Sequence, residues 1–134
     1  RASNRTRGDM TSSLPLLNCT PHDIHIVVGE QTITYKASPA ALVRMRSPPQ
    51  TLLGILPDGV PVFTSQLFVG TEGLPPDPKK YSGLIVSMPV GEFLRDHGNP
   101  TGIPIYGPDS SPEGAVRNAG GQVIGSRRLV RYAQ

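Results

Sequence analysis

Gly114-Ala115-Val116-Arg117-Asn118-Ala119-Gly120-Gly121-Gln122-Val123-Ile124-Gly125-Ser126-Arg127-Arg128-Leu129-Val130-Arg131-Tyr132 sets two runs of apolar and β-branched residues on either side of a Gly-Gly pair. That is a hairpin signature: the glycines supply the positive φ of a tight turn and the flanking residues suit a pleated surface. No acidic residue follows Glu113, whereas Arg117, Arg127, Arg128 and Arg131 do. The chain is therefore expected to end in a positively charged β-ribbon.

The same grammar recurs upstream. Ile24-His25-Ile26-Val27-Val28 and Gln31-Thr32-Ile33-Thr34-Tyr35-Lys36 flank a Gly29-Glu30 turn, the second with period-two alternation. Leu42 to Arg46 alternates apolar and basic residues, which predicts a strand with Arg44 and Arg46 facing water. Thr51–Leu56 and Val60–Val69 bracket Pro57-Asp58-Gly59, a second hairpin with a mechanistic turn. Residues 71–80 read as a stiff proline-rich loop. Leu84-Ile85-Val86 is a continuous apolar run that fits a buried central strand, and Ile103 and Ile105 mark a further short one.

One helix is predicted, from Pro89 to Asp96. Proline suits the first helical position, Val90, Phe93 and Leu94 share a face, and Gly98 is placed to cap the end, though Gly91 weakens the segment. No internal repeat is present. The sum is seven to eight short strands and one short helix: a mainly β fold, α+β at the margin. An antiparallel sheet curled into a barrel or sandwich is the economical architecture.

Composition agrees. The chain has 134 residues, one domain's length, with 15 Gly and 15 Pro spread between apolar runs. Residues 1–13 have almost no apolar content and read as a flexible basic arm; residues 14–134 read as a single β-rich domain. The lone cysteine, Cys19, rules out an intramolecular disulfide and favours a reducing compartment. No apolar run is long enough for a membrane helix, and no signal-peptide core is visible. Arg7-Gly8-Asp9 and the sequons at Asn4 and Asn18 are therefore read as chance matches. The net charge of +3 sits largely at the two ends, where it can steer an acidic partner or a phosphate backbone.

Catalytic patterns are weak. His22 and His25 lie three apart at a strand start, which puts them on opposite faces and unable to chelate one metal together. Asp96-His97 invites an acid–base reading and Ser87 a nucleophile. But Val86-Ser87-Met88-Pro89 lacks a nucleophile elbow, and a serine at a helix N-terminus is more often a cap. No phosphate loop or dinucleotide fingerprint is present. No metal or cofactor is expected. The seven aromatics, none of them Trp, argue against a large stacking platform for single strands. Arg117, Arg127, Arg128 and Arg131 are the candidates for binding nucleic acid or an acidic partner, because a two-stranded ribbon can enter a groove and arginine reads phosphate and guanine. Asn18, Thr20, Pro21 and His22 are expected to form a structural turn that launches the strand at Ile24, with the His22 ring bonded beside it.

Four segments stand in a telling order. Asn18-Cys19-Thr20-Pro21-His22 precedes the first clear strand; Leu74-Pro75 is followed by Pro76 and Pro78; Tyr81 precedes Ile85-Val86-Ser87; and Val116-Arg117, Gly121 and Val123-Ile124-Gly125 close the chain. In this order the chain resembles a family of small uncharacterised proteins of bacteria and their phages, over most of residues 16–131. The family has no assigned activity, so the resemblance carries over no catalytic residue. It implies a viral or mobile-element setting, a virus of a eukaryotic host included. The Ser/Pro-rich stretch at 108–112 and the basic N-terminal arm depart from it.

The expectation is a non-enzymatic interaction or structural module of viral or mobile-element type, acting inside the host or producing cell or on the virion, with an unidentified protein partner. A nucleic-acid-binding accessory protein using the basic ribbon is the alternative, and a cryptic enzyme the third reading.

Overall fold

The computed structural model describes residues 13–134; the basic arm and its Arg-Gly-Asp tripeptide fall almost wholly outside the described residues. The fold is mainly β. Its first strand, β1 (Leu16–Asn18), leads through the Asn18–His22 turn into β2 (Ile24–Val28) and β3 (Gln31–Tyr35). β2 and β3 form the expected hairpin, with Ile26 opposite Ile33 and Val28 opposite Gln31. Gly29 takes φ of +62° in its turn, a conformation that costs other residues a Cβ clash.

After a 3-10 turn at Pro39–Ala41 comes β4 (Arg44–Arg46), followed by β5 (Leu52–Ile55), β6 (Pro61–Phe63) and β7 (Gly70–Glu72). On β4, Arg44 and Arg46 face solvent and Met45 is half-buried, as the alternation predicts. A second 3-10 turn at Pro78–Lys80 precedes β8 (Gly83–Ile85), α1 (Met88–His97), β9 (Ile105–Pro108), β10 (Ala115–Arg117), β11 (Val123–Ser126) and β12 (Leu129–Ala133).

Two four-stranded sheets form a sandwich-like body, ordered β1-β8-β9-β12 and β10-β11-β2-β3. β4 pairs only with β7, and β5 only with β6. No closed barrel forms among the described residues. The first sheet also departs from an all-antiparallel arrangement: β1, β8 and β9 run parallel, and only β12 runs against β9. The reason is α1. A parallel neighbour needs a crossover, and the helix between β8 and β9 supplies it.

The core gathers on this sheet. Leu84, Ile85, Val86 and Ile105 are fully buried, joined by Cys19, Val43, Val90, Leu94 and Ile103. The apolar run 84–86 is the buried central strand its composition implies. α1 packs on β12 and β9 and buries Val90, Gly91 and Leu94. Gly91 is there because a Cβ at that position would run into the ring of Tyr132; a Cβ on Gly107 would meet the same ring at 2.7 Å. Two glycines thus make the slot that seats Tyr132. The helix ends where Gly98, at φ +105°, donates its N–H to Leu94 at 3.0 Å. Ser87 occupies the N-cap position with extended backbone but makes no side-chain capping bond.

The terminal ribbon is corrected by the structure. β10 and β11 form the hairpin around Gly121, at φ +83°. β12 does not extend it. At Arg127-Arg128 the chain crosses from one sheet to the other, so β12 joins β9 instead. Exchanging a two-stranded ribbon for an edge on the core sheet buries the Tyr132 ring against α1, which a free ribbon would leave in water.

Candidate interaction surface

The four candidate arginines are spread over β10, the β11–β12 corner and β12. Arg117 folds its guanidinium back onto its own turn, where Nη1 donates to the Gly121 carbonyl at 2.7 Å. Arg128 donates through Nε to Asp109 Oδ2 at 2.6 Å. The carboxylate is nearly covered, its side chain 10% exposed against 58% for the arginine. Asp109 Oδ1 also accepts the Ser111 N–H at 3.0 Å. Arg128 first and the Ser111 backbone second hold the Asp109 carboxyl down at about 2. Arg127 and Arg131 are exposed, on the sheet-to-sheet corner and on β12. Two of the four thus hold a hydrogen bond within the fold, and all four are exposed.

The Asn18 turn is a closed polar knot. Asn18 Oδ1 accepts from the Thr20 N–H at 2.9 Å and from its hydroxyl at 2.7 Å. Asn18 Nδ2 donates to the carbonyls of His22 and Tyr35, both at 2.8 Å. Asn18 and Thr20 are buried. His22 enters the knot through its backbone carbonyl, which also accepts from Thr20 Oγ1 at 2.8 Å. Its ring is not the anchor the sequence suggests, because the residue is exposed. Pro21 is exposed at the turn's crest.

The knot occurs twice. Asn99 Oδ1 accepts from the N–H and hydroxyl of Thr101 at 3.0 and 2.7 Å, and Asn99 Nδ2 donates to the Ile103 carbonyl at 2.8 Å. The shared signal, Asn-x-Thr two residues before an accepting carbonyl, is present in both stretches. The second copy went unread because residues 99–113 look like generic turn sequence.

Among the described residues the candidate catalytic side chains do not converge. His25 Nδ1 pairs with Thr34 Oγ1 at 2.9 Å across the hairpin. Asp96 pairs with Arg95 at 2.9 Å, and His97 stacks on Phe93 with ring centroids 4.2 Å apart. Cys19 is fully buried, and burial pushes its thiol up to about 11. Among the described residues no group of three metal-ligating side chains gathers, and no helix is long and apolar enough to cross a membrane.

What the sequence reading missed is where the second hairpin lies. Arg46 and Gly70 are paired across β4 and β7, and the Val69 N–H donates to the Arg46 carbonyl at 2.9 Å. Residues 47–69 therefore leave the body and return at adjacent points, forming an arm. β5 and β6 pair along it, closed by a turn in which Gly59, at φ +89°, donates to the Leu56 carbonyl at 2.8 Å. None of its residues is buried. Leu52, Leu53, Ile55, Leu56, Val60, Val62 and Phe63 are all exposed, Leu53 to 67% and Ile55 to 65%; Leu67, Phe68 and Val69 continue the patch to the arm's root. There Phe68 meets Met88, Pro89 and Phe93 of α1 in an open cleft of about 340 Å³, rimmed by Glu92, Asp96 and His97. A sequence signal was available: a single charge, Asp58, in residues 47–69, with apolar residues at both odd and even positions. That pattern normally marks a ribbon covered on both faces.

Comparison with family models, curated proteins and solved structures finds no match in any of the three.

Proposed function

We propose that the chain is a non-enzymatic interaction module of viral or mobile-element type, and that it engages a protein partner through the arm of residues 47–69. The observation that carries this reading is the arm's exposed apolar surface: ten large apolar side chains between Leu52 and Val69, none of them buried by the body. Contiguous apolar patches of this kind mark docking surfaces. Fully burying a Leu, Ile, Val or Phe side chain is worth roughly 1.5–3 kcal/mol. With about half of each side chain still open, the ten residues hold on the order of 10 kcal/mol of unrealised burial. That is comparable to the roughly 4–15 kcal/mol that association costs in lost freedom.

The single cysteine, buried as a thiol, suits a reducing interior, which supports an intracellular or virion-associated role. The viral setting rests on the resemblance of the order of motifs to small uncharacterised proteins of bacteria and their phages. The dispersal of the arginines removes the main support for a groove-reading ribbon.

Site-specific photo-cross-linking tests the reading. A photoreactive residue in place of Leu53 should give a discrete adduct in expressing cells, and the same residue in place of Thr32, exposed on β3, should not. Absence of an adduct at 53, or equal labelling at both positions, contradicts it.

A further inference from the structure

We propose that the arm's partner is a second copy of this chain, with β5 of each copy pairing antiparallel across a two-fold axis to make a four-stranded sheet β6-β5-β5-β6. The proposal rests on the arm being the interaction surface and goes on to name what covers it.

Three features select this occupant. The first is charge. Residues 47–69 carry one charged side chain, Asp58, placed at the tip turn. The ribbon therefore offers a heterologous partner no electrostatic address, and two copies meeting along β5 suffer little like-charge repulsion.

The second is the edges. Among the described residues each strand of the arm has one neighbour, and both outer edges pair with no further strand. The β6 edge is blunted. Pro61 lies opposite Ile55, next to the pair in which the Leu56 N–H donates to the Val60 carbonyl at 2.8 Å. By antiparallel alternation a donor at position 61 would point outward, and proline has none. β5 contains no proline between Leu52 and Ile55. It is the edge that keeps its donors; the register shift between Leu52 and Gly54 leaves Leu53 out of the ladder, so pairing through this edge is centred on Gly54 and Ile55.

The third is area. A stable interface takes roughly 800 Å² from each partner. Ten large apolar residues between Leu52 and Val69, each about half exposed, present a surface of that order. A second arm alongside doubles the ribbon's width. It lets each arm's side chains reach across to those of the other, an isologous contact that closes on itself.

Sedimentation of the purified full chain, from low micromolar to several hundred micromolar, tests this. The expected result is a monomer–dimer equilibrium. The double variant Leu53→Asp, Ile55→Asp should weaken it at least about tenfold, while far-UV circular dichroism stays unchanged. Thr32→Asp should leave the equilibrium as it was. Independently, Leu53→Cys should form an interchain disulfide under mild oxidation far faster than Thr32→Cys, with buried Cys19 silent in both. A chain that stays monomeric at the highest concentration, a dimer indifferent to the aspartates, or equal disulfide rates at 53 and 32 would overturn the proposal. If a monomeric chain still cross-links to a different protein through position 53 in cells, self-pairing falls and the interaction reading stands. If it yields no adduct at all, both fall.

Discussion

Asn18 and Asn99 show how much one side chain can hold. Each amide closes a turn through both its oxygen and its nitrogen; Asn18, the last residue of β1, also reaches the Tyr35 carbonyl at the end of β3, and Asn99 the Gln134 carbonyl. Removing a buried amide leaves several partners unmatched, at a cost of about 1–3 kcal/mol for each one stranded. Asn18→Ala should therefore lower the unfolding free energy by about 3 kcal/mol, and His22→Ala, which keeps its carbonyl, by less than about 0.5 kcal/mol. Urea denaturation of the two variants checks the ranking. The Asn18 turn was legible because its bonds span two to four residues. The Arg128–Asp109 pair was not, because its partners stand nineteen residues apart. That pair sets an acid response. Asp109 is held at about 2, below its ordinary 3.8. A depressed carboxylate stabilises the fold above the unfolded value, and the contribution is lost as pH falls from about 4 through about 2. Arg128→Gln should flatten the loss of unfolding midpoint across that window; an unchanged acid profile would contradict the assignment.

Among the elements, α1 and β12 explain most of what local pattern could not reveal. The helix and its Gly98 end were readable from Pro89, the apolar spacing and the glycine. Its consequence, a parallel β8–β9 pair, was not, because periodicity reports a strand's faces and not its neighbour. The same blindness placed β12 on the wrong sheet: Leu129–Ala133 has the pattern of a ribbon strand, and only the Tyr132 slot between Gly91 and Gly107 shows why it turns away. Gly91 looked like a weakness in the helix and is a packing requirement. Gly91→Ala gains up to about 1 kcal/mol of helix propensity but drives a methyl into the Tyr132 ring, and overpacking of that kind costs typically 1–3 kcal/mol. A net loss of stability is expected by thermal denaturation. An equal or raised midpoint would show that the ring has room to move.

The whole molecule divides into a body with its core on the β1-β8-β9-β12 sheet and an arm that adds nothing to that core. Composition and recurring strand patterns made the mainly β class readable, although twelve strands form among the described residues where seven to eight were expected. The placement of the second hairpin was not, because a ribbon apolar on both faces reads the same whether its cover is the same chain or another. A two-stranded hairpin alone is marginal in water, so the arm's apolar faces make physical sense when something covers them. The account stands on the arm being separable. The measurement that tests this most directly is the urea-unfolding midpoint of a chain in which a short Asn-Gly turn replaces residues 47–69, joining β4 to β7 where Arg46 and Gly70 already pair. The account predicts a cooperative transition with a midpoint close to that of the full chain. A variant that fails to fold, or whose midpoint falls substantially, would place the arm's apolar residues in the fold's own stability and remove the basis for reading them as an interaction surface.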